Sequence, residues 1–156
     1  MKIRTDFVTN SSSSSFILAF NNEASIVEEL LKDNTCGQFE RLLEDITASR
    51  HIKTKEEVLE YFRDDIYYPV KWEIEEKLER EKNLSWRDIS DWINKNKEKF
   101  NKMVQEEIDK QVSELEEKLK NKNYIVMVEY SDDCDSEMEH YIAPNLNCSI
   151  ERISHH

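Results

Sequence analysis

The chain reads as an α+β protein, mainly helical, with a small antiparallel sheet formed by its N- and C-terminal segments and a central helical insertion. Three observations predict this. One glycine and two prolines punctuate 156 residues, too few for a sandwich of many tight turns. Apolar residues recur at helical spacing from Ile26 to Leu119. The two apolar runs without that spacing, Phe16-Ile17-Leu18-Ala19-Phe20 and Tyr124-Ile125-Val126-Met127-Val128, lie towards opposite ends of the chain. At this length a single domain, 1–156, is expected, with 1–22 and 123–156 forming the sheet and 23–122 the insertion.

The elements follow in order. Residues 1–20 read as two strands joined by a Ser-rich connection, or as one strand entering a Ser-rich loop, because Ile3, Phe7 and Val8 precede the polar run and an apolar run follows it. Ile26, Val27, Leu30 and Leu31 give a first helix, and Cys36-Gly37 a break before a second carrying Phe39, Leu42, Leu43 and Ile46. Thr54 with Glu57 is a capping box for a third through Val58, Leu59, Tyr61 and Phe62. Pro69 restarts the chain into a fourth with Val70, Trp72, Ile74 and Leu78, and Ser85 with Asp88 caps a fifth.

The firmest periodicity is Val104, Ile108, Val112, Leu115 and Leu119. A helix over 93–121 would span about 43 Å at 1.5 Å per residue. Its stripe must pack on the preceding helices or, as a homodimer, on a second copy; the helices already at hand favour the first. After it, Tyr124 to Tyr130 is β-branched and apolar, a central strand whose partners are the N-terminal strands, with 147–154 as a further candidate.

Composition narrows function. Twenty-two basic residues against 34 acidic ones give a net charge of -12, which repels phosphate backbones and anionic lipid. Neither direct nucleic-acid binding nor a membrane role is expected. From Tyr124 to His156 seven acids face one arginine, so that end alone carries half the net charge. Three unpaired cysteines without a CxxC, and no apolar leader or membrane-length run, indicate a reducing, cytoplasmic setting.

The stretch Lys2-Ile3-Arg4-Thr5-Asp6-Phe7-Val8-Thr9-Asn10 followed by Ser11 to Ser15 and Phe16 resembles an N-terminal signature of many small, uncharacterised bacterial and phage proteins. The closing Arg152-Ile153-Ser154-His155-His156 is similar to the end of some of them. The resemblance implies a family and a phage or mobile-element origin. It brings no activity to any residue.

Three groups of residues could carry chemistry. Thr9, Asn10, Ser11, Ser12, Ser13, Ser14 and Ser15 form a candidate interaction or ligand loop, rich in hydroxyls that bind phosphate or carboxylate or accept a charged modification. They have no GxSxG, SxxK or adjacent base to activate a nucleophile, and a hydrogen-bonded turn or edge strand is the simpler expectation. Asp132, Asp133, Asp135, Glu139, His140 and His155 combine carboxylate and imidazole, a ligand pool for a divalent metal. No calcium-loop template or HExxH fits them, and a solvated acidic loop is the simpler reading. Tyr67 and Tyr68, beside Pro69, are expected at a surface break between helices as interface aromatics. Most other central aromatics, Trp72, Trp86 and Trp92 among them, are expected in the core.

Taken together, the sequence favours a cytoplasmic, non-enzymatic protein-binding module that engages a basic, nucleic-acid-binding partner by presenting carboxylates where phosphates would lie. The alternative is a metal-dependent, hydrolase-like enzyme built from the Asp/Glu/His cluster and the Ser-rich loop. Convergence of those two segments at one edge of the sheet would favour it.

Overall fold

A computed structural model describes residues 13–28, 39–131, 138 and 149–155. Their order is strand β1 (Ser13–Phe20), helix α1 (Phe39–Thr47), strand β2 (Ile52–Lys53), helices α2 (Lys55–Asp65), α3 (Tyr67–Lys82), α4 (Trp86–Lys95) and α5 (Lys97–Lys118), then strands β3 (Tyr124–Ser131) and β4 (Ser149–His155). The chain is mainly helical, and its two ends pair in an antiparallel sheet with the helices between them. Contacts divide it into two compact units, Met1–Val58 with Lys118–His156, and Leu59–Glu117.

The sheet has the order β2-β3-β1-β4. β1 is therefore an inner strand, paired with β3 on one side and β4 on the other. β3 is also inner, as its apolar run predicts, but β4 pairs with β1 rather than with β3. Phe16 to Phe20 are 0% exposed on both faces of the sheet, which is why that run is continuously apolar instead of alternating. Burial of Phe16, Ile17, Leu18 and Phe20 stabilises the sheet by about 1.5–3 kcal/mol each before chain entropy is counted. β2 has only two residues, too few to leave a periodic signal, and was not foreseen.

On one sheet face Phe16, Leu18, Phe20, Val126, Val128 and Tyr130 form a core with Ile26, Leu42, Ile46 and Met138. α1 lies on this face through Leu42 and Ile46. Two tyrosines of β3 hold it there: Tyr130 Oη donates to Asp45 Oδ2 at 2.8 Å, and Tyr124 Oη donates to the Ile46 carbonyl at 3.0 Å. Near a helix end, that carbonyl has no partner along the helix, so the second bond satisfies an otherwise orphan acceptor. Burial raises the Tyr124 hydroxyl above its ordinary value, with the Glu23 charge adding to it, so it stays a neutral donor.

Both expected capping boxes are present. Thr54 N–H donates to Glu57 Oε2 at 2.7 Å and Glu57 N–H to Thr54 Oγ1 at 3.2 Å; Ser85 and Asp88 make the same exchange at the start of α4. A third, unforeseen, links Asn22 and Ser25. α3 ends at Asn83, whose φ of 50° lies in the left-handed region, a position asparagine tolerates in place of glycine. Ile26 and Val27 are helical, as their spacing predicts, but only Ile26 is buried and Val27 is exposed; Leu30 and Leu31 fall outside the described residues.

Two expectations about the helices need correction. Pro69 does not stand in a break: it lies in the first turn of α3, where its missing N–H costs little. The break falls three residues earlier, at Ile66, where the last bond of α2, from the Ile66 N–H to the Phe62 carbonyl, meets the first of α3, from the Val70 N–H to the Ile66 carbonyl. Nor does one helix cover 93–121. Asn96 separates α4 from α5: its φ of -122° and ψ of 33° leave the helical region, while its backbone N–H and its side-chain amide both donate to the Trp92 carbonyl, at 2.9 and 2.8 Å.

α5 then spans about 33 Å for its 22 residues. Phe100, Val104, Ile108, Val112 and Leu115 along it are all buried within the chain, so a second copy is not what covers the stripe.

Candidate functional site

The register of β1 brings the sequence motifs towards one end of the sheet. Ser13 is opposite Ser131 on one side and His155 on the other; Ser14 is opposite Tyr130 and Ser154. Ser13, Ser131 and His155 therefore share one sheet end. The backbone thus juxtaposes segments more than a hundred residues apart.

The serines themselves are not a loop where they are described. Ser13 to Ser15 belong to β1, and Ser14 and Ser15 are 0% and 2% exposed. The correction has a physical reason: strand pairing on both sides satisfies the backbone, while the small side chains fit a crowded sheet. Buried hydroxyls of this kind cannot meet a substrate or a modifying enzyme without opening the sheet.

Thr9, Asn10, Ser11, Ser12, Asp132, Asp133, Asp135, Glu139 and His140 lie outside the described residues, and His155 is placed only as a register position of β4. Among the described residues, no three or more His, Cys, Asp or Glu side chains gather as a metal site. Near this sheet end Tyr130 is buried on β3, with Asp45 accepting its hydrogen bond and the Arg41 guanidinium 5.8 Å from its ring centre. That arrangement fastens α1 to the sheet.

A second surface lies in the helical unit. Tyr67 and Tyr68 are exposed, as expected, at 42% and 64%. They occupy the first turn of α3, with ring centres 5.2 Å apart and an edge-to-face packing. The expectation that the other aromatics are mostly core fails. Trp72 and Trp86 are exposed at 43% and 71%, and Tyr61 at 38%; only Trp92 is half-buried, with Lys82 Nζ 5.3 Å from its ring centre.

The signal for this was present in the spacing. Buried residues along α2, the junction residue Ile66 and α3 fall at Val58, Phe62, Ile66, Val70, Ile74 and Leu78, every fourth residue, whereas Tyr61, Tyr68 and Trp72 fall at i, i+7 and i+11. The aromatics form a separate stripe beside the buried one. Asp65, Glu76 and Glu79 follow a similar spacing, so the surface of these helices carries carboxylates as well as rings.

The unit bearing these aromatics is acidic, with seventeen Asp and Glu against eleven Lys and Arg over Leu59–Glu117. Several bases are already engaged: Arg63 with Asp109 at 2.6 Å, Lys71 with Glu75 at 3.8 Å and Lys110 with Glu107 at 3.3 Å. No helix among the described residues is long and apolar enough to cross a membrane. Comparison with known family models, with curated proteins and with solved structures finds no match to this chain.

Proposed function

We propose that this chain is a cytoplasmic, non-enzymatic protein-binding module that engages a partner with a basic surface. Its sharp form is a phage- or mobile-element-borne inhibitor of a nucleic-acid-binding protein, with carboxylates standing where phosphates would lie. The observation that supports it is the display of Tyr61, Tyr67, Tyr68, Trp72 and Trp86 on the exterior of an acidic helical unit. Large aromatics are the residues that anchor protein interfaces, and a negative field speeds and selects a basic partner.

The test is capture of partners from a cytosolic extract by the immobilised full chain, at low and high salt, with nucleic acid as competitor. The expected result is a basic protein released both by salt and by nucleic acid. Capture of only acidic or neutral proteins, or of a basic one indifferent to salt, overturns the reading.

A second reading, a metal-dependent hydrolase-like enzyme, draws on the register that sets Ser13 opposite both Ser131 and His155. The ligands would come from Asp132, Asp133, Asp135, Glu139, His140 and His155. Thermal melting with Mg²⁺, Mn²⁺, Ca²⁺ or Zn²⁺ separates the two readings. Stabilisation by one ion, abolished in both Asp133→Ala and His140→Ala, favours the enzyme; no stabilisation rejects this ligand set.

A further inference from the structure

We propose that the outer edge of β4 is the interface of a homodimer, in which two copies of the strand pair antiparallel about a two-fold axis at Ile153 and join their sheets into one. This goes beyond the protein-binding reading and concerns a different part of the chain. The sheet order β2-β3-β1-β4 has two edges. One is β2, only two residues long and too short to template another strand. The other is β4, seven residues paired with β1 on one side; among the described residues no strand pairs with its other side. Alternate residues of an antiparallel strand turn their N–H and C=O away from a given neighbour, so β4 directs a row of such groups away from β1.

The register with β1 fixes which part of that edge is regular. His155, Ser154, Ile153, Arg152 and Glu151 follow Ser13 to Ile17 one for one, and then a bulge skips Ile150 before Ser149 meets Leu18. A bulge bends the edge away from a further strand, which leaves 151–155 for pairing. Cross-strand neighbours share a sheet face, so a strand meets its own copy about a two-fold axis only with one residue opposite itself. Full overlap of the regular stretch makes that residue the middle one, Ile153.

In that register Glu151 falls opposite His155 of the second copy, twice by symmetry, and Arg152 opposite Ser154. The stretch is complementary to itself: each carboxylate is set against an imidazole, whose N–H is a donor, and isoleucine against isoleucine at the centre. Any other centre shortens the overlap, and one at Glu151 or Arg152 also sets like charges opposite each other, which is destabilising. The edge therefore selects a second copy over an arbitrary strand. Against pairing stands the net charge of -12 on each copy, a repulsion that salt screens. Salt thus strengthens this association and weakens capture of a basic partner, so the two are told apart.

The experiment is sedimentation equilibrium of the full chain over a concentration series at low and high salt, with a chelator present so that no metal bridges the copies. Wild type should pass from monomer to dimer mass as concentration rises, and do so at lower concentration in high salt. His155→Glu sets carboxylates opposite each other twice per dimer and should weaken association by about five- to thirtyfold. Adding Glu151→Lys puts opposite charges back in register and should restore it, which guards against a fold defect; the residues opposite these positions on β1, Ser13 and Ile17, are uncharged. Wild type that stays monomeric throughout overturns the proposal and leaves the edge to a strand of another chain. A dimer indifferent to His155→Glu, or not restored in the double variant, overturns it too.

Discussion

Removing one oxygen atom from Tyr130 tests how α1 is fastened to the sheet. The phenol donates to Asp45 Oδ2 at 2.8 Å from a ring that is 3% exposed. A hydrogen bond to a charged group contributes about 1.5–3 kcal/mol, against about 0.5–1.5 kcal/mol for a neutral acceptor. Asp45 is only half-buried, so water can replace the lost donor, and the lower end of the charged range applies. Tyr130→Phe should therefore cost about 1.5 kcal/mol. Tyr124→Phe, which removes a bond to the uncharged Ile46 carbonyl at 3.0 Å, should cost about 1 kcal/mol or less.

The suitable assay is native-state amide exchange of the β1 and β3 amides, since Trp72, Trp86 and Trp92 all lie in the other compact unit and their fluorescence reports on that one. A loss of this size speeds exchange of globally protected amides roughly tenfold. An unchanged exchange rate in Tyr130→Phe, or a larger effect in Tyr124→Phe, refutes the charge-assisted account of how the helix is held.

Three further outcomes are expected. Leu18→Ala, at a fully buried position of an inner strand, should destabilise by about 2–5 kcal/mol in urea unfolding followed by circular dichroism; a cost below about 1 kcal/mol would mean the sheet core collapses onto the gap. At Asn83, with φ of 50°, glycine should hold or raise stability while valine lowers it by about 1–2 kcal/mol, and equal stabilities of the two variants would show that the left-handed cap does not matter. The Thr54 backbone N–H, then its hydroxyl, hold the Glu57 carboxyl below its ordinary value. Because the folded value is the lower one, this contribution is present above about pH 4.5, the ordinary value, and is lost as pH falls through the folded value. Glu57→Gln should flatten that part of the acid limb in urea midpoints measured against pH, and an identical limb in both proteins would remove the capping box as its cause.

Much of the architecture was legible because it rests on local rules. Thr54/Glu57 and Ser85/Asp88 announce helix starts by residue type and spacing alone, and a continuous apolar run such as Phe16 to Phe20 announces a strand covered on both faces. Asn96 was not legible as a helix end, since the break lies in its backbone angles, which no spacing of apolar residues announces. The buried serines were missed for a related reason: hydroxyls read as polar surface, and only strand pairing on both sides places Ser14 and Ser15 inside. Trp72 and Trp86 went astray in the opposite direction. Hydrophobicity alone put them in the core, whereas phase relative to Val70, Ile74 and Leu78 places Trp72 outside. Of the candidate site, the meeting of the serine tract with Ser131 and His155 was inferable from the topology, but its register was not.

The pairing of β1 with β3 and β4 also sets a schedule for synthesis. Phe20 leaves the ribosome more than a hundred residues before Tyr124, its opposite number in the sheet. At ordinary elongation rates the apolar segment waits roughly five to twenty seconds with no strand to join. The helices of the 59–117 unit depend on local contacts and can form during that interval. A nascent chain stalled anywhere in the helical unit would thus carry a naked, aggregation-prone strand. Yield in a cell should depend on how quickly the ribosome clears the helices as much as on the stability of the finished protein.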